Sequence, residues 1–136
     1  MFELANEENF ALISNYSHNL EVLRIPRGQV TDSIVTQIVP KLVNLAYLDI
    51  SYCNKITCSS FESIGKHCKF LTRLSRCMRE RYTLLRPEDP QDDEAFAIAN
   101  NMPRLKRLDV INGLVTDEGV ERLLSMCRVC YAMVFD

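Results

Sequence analysis

Tryptophan is absent from this sequence, glycine occurs four times and histidine twice, and no long apolar run appears. Each scarcity excludes something. There is no Gly-rich phosphate loop, no His-Glu-x-x-His and no Gly-x-Ser-x-Gly, so the machinery of many common enzyme classes is missing. No near-neutral apolar stretch approaches the roughly 20 residues that a bilayer-crossing helix needs. The opening Met1-Phe2-Glu3-Leu4-Ala5-Asn6-Glu7-Glu8 lacks the basic start and apolar centre of a secretion signal. Charge of neither sign dominates: 16 basic and 18 acidic residues leave a net charge of −2, which argues against a general nucleic-acid binder. What remains is a 136-residue chain, 47% hydrophobic and 25% charged. That is the balance of an ordinary globular protein, long enough to bury one core without metals or disulfides.

What is present is an internal repeat. Segments 20–25 (LEVLRI), 45–50 (LAYLDI) and 105–110 (LKRLDV) all read L-x-x-L-x-φ, with φ apolar. A fourth, 71–76 (LTRLSR), matches at both leucines and places Arg76 at the third position. The leading leucines are spaced 25, 26 and 34 residues apart. Three residues before them stand Ser17, Leu42, Cys68 and Met102; seven before, Ile13, Ile38, Ile64 and Ile98; ten before, Phe10, Val35, Phe61 and Ala95. Offsets of three and seven share one helical face. Each repeat is therefore a short strand, a turn and a helix with its apolar stripe turned inward. The same ruler predicts a fifth row: Val120, Leu123 and Cys127 on a helix, then Cys130, Met133 and Phe135 in strand positions. Of the 30 positions in this grid 28 are apolar, the exceptions being Ser17 and Arg76, where composition alone gives about half.

The turns repeat as well. Val30-Thr31-Asp32, Ile56-Thr57-Cys58 and Val115-Thr116-Asp117 each set an apolar residue before a helix-capping one. Gly28, Cys53 and Gly113 fall five residues after the second strand leucine, where the chain has to bend sharply.

This pattern resembles the leucine-rich repeat in its cysteine-containing subtype, L-x-x-L-x-L-x-x-C-x-x-I-T-D, and LAYLDISYCNKIT at 45–57 matches it best. The order of features is similar to that of plant F-box/leucine-rich-repeat proteins. The points of likeness are LDISYC at 48–53, Gly-Lys-His-Cys at 65–68, and a polar insertion leading into DDEAFAIANNMPRLKRLDV at 92–110. The expected fold is an α/β leucine-rich-repeat solenoid, one domain over 1–136, with about five short parallel strands on the concave face and helices on the convex face. The resemblance implies substrate recognition within an SCF-type ubiquitin ligase. The repeats hold a target protein, an F-box docks a Skp-type adaptor, and other subunits carry the chemistry, so no catalytic residue and no cofactor are expected here. The F-box itself, normally N-terminal to the repeats, is not in this sequence. The chain opens within the helical half of a repeat, and the expectation is a fragment, a truncated gene model or an F-box-less relative.

Between the core leucines, strand residues face the opposite side. Stacking puts Val22, Tyr47, Arg73 and Arg107 in one concave column and Arg24, Asp49, Ser75 and Asp109 in the next. Tyr and Arg are favoured interface anchors, so Arg24, Tyr47, Asp49, Arg73, Arg107 and Asp109 are the candidate partner-binding residues. The insertion at about 77–91 (CMRERYTLLRPEDPQ) adds Arg79, Arg81, Tyr82 and Arg86 as a second candidate, a solvated loop or a partner contact.

Two rival readings stand beside this one. The first is a leucine-rich-repeat scaffold unrelated to ubiquitination. The second is a thiol redox or zinc protein using Cys127 and Cys130. Against the second, the cysteines occupy repeat positions as small buried hydrophobes, zinc needs four converging ligands, and no other C-x-x-C occurs. His18 and His67 have no evident nucleophile beside them. No metal, nucleic acid or membrane partner is expected, and the chain is expected in the reducing cytoplasm or nucleus.

Overall fold

The computed structural model describes residues 2–3, 13, 16–25, 29–77, 92–110, 117–126 and 132–134. Strands β1 (Phe2–Glu3), β2 (Val22–Arg24), β3 (Tyr47–Asp49), β4 (Arg73–Ser75), β5 (Arg107–Asp109) and β6 (Ala132–Val134) form one sheet in sequence order. Every neighbouring pair is parallel. Helices α1 (Asp32–Ile38), α2 (Cys58–His67), α3 (Asp92–Asn101) and α4 (Asp117–Met126) alternate with the strands, and each packs on the next. The described residues thus form four strand–helix units of an α/β solenoid like that of leucine-rich-repeat proteins.

The sheet has six strands where about five were expected. The expected fifth, β6, falls where the ruler puts it, with Met133 opposite Leu108. The added strand is β1, which pairs Phe2 with Leu23. Two residues with no helix columns before them carry no repeat signature.

The core follows the grid. Leu23, Leu48, Leu74 and Leu108 are buried, and so are Ile25, Ile50 and Val110 two residues on. Behind them Ile13, Ile38, Ile64, Ile98 and Leu123 seal the helices onto the sheet in one continuous apolar cluster. Val120, in the last row, is only half-buried.

Both polar exceptions are also inside. Ser17 is fully buried, and its hydroxyl has no hydrogen-bond partner among the described residues. Arg76 is fully buried too, with a ready set of acceptors. Its Nη1 donates to the carbonyls of Ile50 and Cys53 at 2.9 and 3.0 Å, and its Nη2 to that of Ile56 at 3.0 Å. Its Nε donates to Glu94 Oε1 on α3 at 2.8 Å. A buried guanidinium is tolerable only when its donors are met in this way. Arg76 thereby ties the turn after β3 to the helix beyond the insertion.

Two turn expectations change. The sharp bend after β3 falls on Tyr52, whose φ of 60° is left-handed, and not on Cys53. Cys53 is buried instead, its thiol 2.8 Å from the Ile25 carbonyl of the preceding repeat. Thr31 caps α1 as expected, accepting from the Ile34 amide at 3.4 Å. Thr57 makes no such bond within α2. Its amide and hydroxyl both donate to Asp32, at 2.8 and 2.5 Å, and Ser60 donates to the same carboxylate. An acid at the start of one helix therefore satisfies the start of the next. Burial alone would raise the Asp32 pKa, but the bonds from Ser60 and Thr57 outweigh it and hold the carboxyl below its ordinary value.

At Gly65, α2 comes close to the end of α3. A Cβ there would lie 2.2 Å from the backbone oxygen of Asn101 at the end of α3.

Candidate functional site

The concave face is built by the register itself. Val22, Tyr47, Arg73 and Arg107 lie side by side across β2 to β5, and Arg24, Asp49, Ser75 and Asp109 form the adjoining row. Strands of three residues hold them in place, because the leucine between each pair is locked into the core.

The side chains interlock in two groups. In the larger, the Arg73 guanidinium stacks over the Tyr47 ring, 4.3 Å from its centre. Arg73 Nε and Nη2 reach Asp109 Oδ2 at 3.3 and 3.2 Å, and Arg107 Nε reaches Asp109 Oδ1 at 2.9 Å. The Ser75 hydroxyl donates to Asp109 Oδ2 at 2.9 Å and lies 3.1 Å from the Tyr47 hydroxyl. Burial pushes the Asp109 carboxyl pKa up. The bonds from Arg107, Ser75 and Arg73 and the Arg107 charge together push it further down, so it ends below the ordinary carboxylate value. In the smaller group, Arg24 Nε meets Asp49 Oδ2 at 3.4 Å while Asp49 Oδ1 accepts from the Ser51 amide at 3.0 Å.

The structure brings all six strand candidates onto this face but at two depths. Side-chain exposure is 40% for Arg24, 40% for Arg73 and 47% for Arg107, against 8% for Asp49 and 14% for Asp109. The carboxylates form a floor and the guanidiniums a roof. Ser75, which was not singled out from the sequence, joins Tyr47 to Asp109. Its position in the Asp49–Asp109 row was the available signal.

The insertion candidates Arg79, Arg81, Tyr82 and Arg86 lie outside the described residues, as do Cys127 and Cys130. Four cysteine thiols are described, Cys53, Cys58, Cys68 and Cys77. Cys53 and Cys68 are buried, and burial drives the Cys68 thiol pKa up to about 12, far from a reactive thiolate. Burial and the Glu94 and Asp93 carboxylates raise the Cys58 thiol as well. Among the described residues no group of three or more His, Cys, Asp or Glu could hold a metal ion, and no helix is long and apolar enough to cross a membrane. Two surface hollows, of about 800 and 450 Å³, lie on the α3–α4 outer surface and beside the turns that end α2 and α3. Neither includes a residue of the concave cluster.

No protein-family model matches the chain. Individual proteins do. F-box protein FBW2 of Arabidopsis thaliana is 41% identical over 129 residues, which cover 91% of this chain and 38% of that protein. F-box protein SKIP19 of the same plant is 32% identical over 116 residues, 85% of this chain and 35% of its own length. Further Arabidopsis relatives at similar identity carry F-box/LRR-repeat names. The chain spans between a quarter and two fifths of the length of these relatives. Among solved structures, yeast Rad7 in its complex with Elc1 superposes with a TM-score of 0.76 at 16% identity, over 95% of this chain and 31% of that chain. That likeness is one of fold alone. The sequence is a distant but consistent match to plant F-box/LRR proteins, carried on an alternating strand–helix fold of leucine-rich-repeat type.

Proposed function

We propose that this chain is a protein-interaction module, the substrate-recognition part of an SCF-type ubiquitin ligase F-box protein. The observation that carries this reading is the 41% identity to an F-box protein over nine-tenths of the chain. The repeat fold and its Tyr–Arg cluster support the interaction role. On this reading a target protein lies across the concave face at Arg24, Tyr47, Arg73 and Arg107, with Asp49 and Asp109 beneath. A Skp-type adaptor is engaged through an F-box of the longer protein. Bond-making belongs to other subunits, so the chain needs neither catalytic residue nor cofactor. The setting is cytoplasmic or nuclear.

The test is the genomic reading frame upstream of Met1, followed by copurification. An in-frame F-box is expected. The longer product should capture a purified Skp-type adaptor at one to one, and deleting the F-box should abolish capture. An upstream frame without an F-box, or a longer product that ignores the adaptor, would leave a repeat scaffold unrelated to ubiquitination.

A further inference from the structure

The concave cluster is asymmetric in depth, and the asymmetry specifies what it can meet. Asp49 and Asp109 spend their oxygens on donors of the chain itself. The arginines do not spend all of their donors. Arg24 and Arg107 each use only Nε, and Arg73 uses Nε and Nη2. Among the described residues, nothing meets Nη1 and Nη2 of Arg24, Nη1 and Nη2 of Arg107, or Nη1 of Arg73. These are the outermost atoms of half-exposed side chains. Across β2 to β5, three guanidiniums over two carboxylates leave one surplus positive charge on the outer side, while Glu3 of the edge strand stands in register beside Arg24.

We propose that the concave face binds an extended peptide segment that presents carboxylate side chains to Arg24 and Arg107, with Tyr47 and Arg73 packing against the chain between them. This rests on the concave-face reading above and names its ligand class. Paired Nη groups suit carboxylate oxygens in fork geometry. Arg24 and Arg107 stand three strands apart, about 14 Å at about 4.8 Å per strand, and two residues apart along the strands, about 7 Å, so about 16 Å in all. An extended segment rises about 3.3 Å per residue, so acidic residues four or five apart come closest to that span. The stacked Tyr47–Arg73 pair between them offers a flat surface to the intervening residues. A dianionic phosphoryl group fits less well, because its charge exceeds the surplus and the two carboxylates beneath repel it.

The experiment pans a phage-displayed library of random twelve-residue peptides against the immobilised chain. Selected peptides should be rich in Asp and Glu, with pairs four or five apart over-represented. Changing those acids to amides should weaken binding at least tenfold, as should Arg24→Gln combined with Arg107→Gln. Arg107→Lys, which keeps the charge and loses the fork, should weaken it several-fold. Circular dichroism of each variant checks that the sheet is intact. Neutral or basic peptides that are lost with Tyr47→Ala would overturn the acidic preference while leaving the concave surface in place. Peptides indifferent to Tyr47→Ala and to the arginine changes would overturn the concave reading itself. Binding more than tenfold tighter when phosphoserine replaces both acids would make this a phosphoryl site and refute the carboxylate assignment. Failure to enrich any peptide counts against a linear acidic ligand.

Discussion

Replacing Arg76 by leucine separates what the repeat pattern favours from what the structure requires. Leucine restores the apolar column of Ile25, Ile50 and Val110. By pattern alone Arg76→Leu should do no harm. The geometry says otherwise, since three of the four acceptors are backbone carbonyls that no side-chain substitution removes. Without the guanidinium, the Ile50 and Cys53 carbonyls still accept from the Cys53 and Ile56 amides, at 3.4 and 3.2 Å. The Ile56 carbonyl depends on Arg76 Nη2. Losing three such bonds, one leaving a buried acceptor unmet, costs about 3–6 kcal/mol, and the better transfer of leucine returns about 1–2 kcal/mol. The expected loss is about 2–4 kcal/mol, a fall in melting temperature of about 6–12 °C for a chain of this length. Thermal and urea unfolding followed by circular dichroism measure it. Glu94→Gln keeps an acceptor for Nε but leaves the buried guanidinium without its counter-charge, and should cost about 3 kcal/mol. An unchanged or raised midpoint for Arg76→Leu would refute the carbonyl argument.

Gly65→Ala forces a methyl group against the Asn101 backbone oxygen and should destabilise by about 1–3 kcal/mol in the same assay, although alanine is the better helix former. Ser17→Ala removes a buried hydroxyl with no partner among the described residues and should stabilise by about 1 kcal/mol. Asp32 and Asp109 have depressed folded-state pKa values, so their stabilisation is present above the unfolded carboxylate value of about 4 and is lost as pH falls through the folded values. Stability of the wild type should therefore decline below about pH 4, and Asp32→Asn should be less stable at pH 7 but less acid-sensitive.

The strand register and the inward columns were legible because one face of every strand is buried, and a one-residue slip would expose every leucine. Arg76 and Ser17 were visible as breaks in the grid. What each break does was not, because the acceptors of Arg76 are main-chain carbonyls 20 to 26 residues away, which no spacing rule encodes. The two-storey concave face was legible as two columns but not as floor and roof. Depth depends on how Arg73 and Arg107 reach across to Asp109 once the strands are paired. Thr57 was expected to cap its own helix, and local sequence could not foresee that Asp32 of the previous repeat supplies the bond.

The measurement closest to the central claim is binding of a captured target to the wild type, Tyr47→Ala, Arg73→Ala and the outer-helix control Gln37→Ala, by calorimetry on folded protein. True anchors cost about 2 kcal/mol or more, a loss of about 30-fold in affinity. Tyr47 and Arg73 also hold each other, Tyr47 bonds Ser75 and Arg73 bonds Asp109, so each substitution should cost about 1 kcal/mol of stability and leave the sheet formed. The account predicts at least that 30-fold loss for both strand variants and unchanged binding for Gln37→Ala. Normal binding by the two folded strand variants, with binding lost in the helix control, would contradict it.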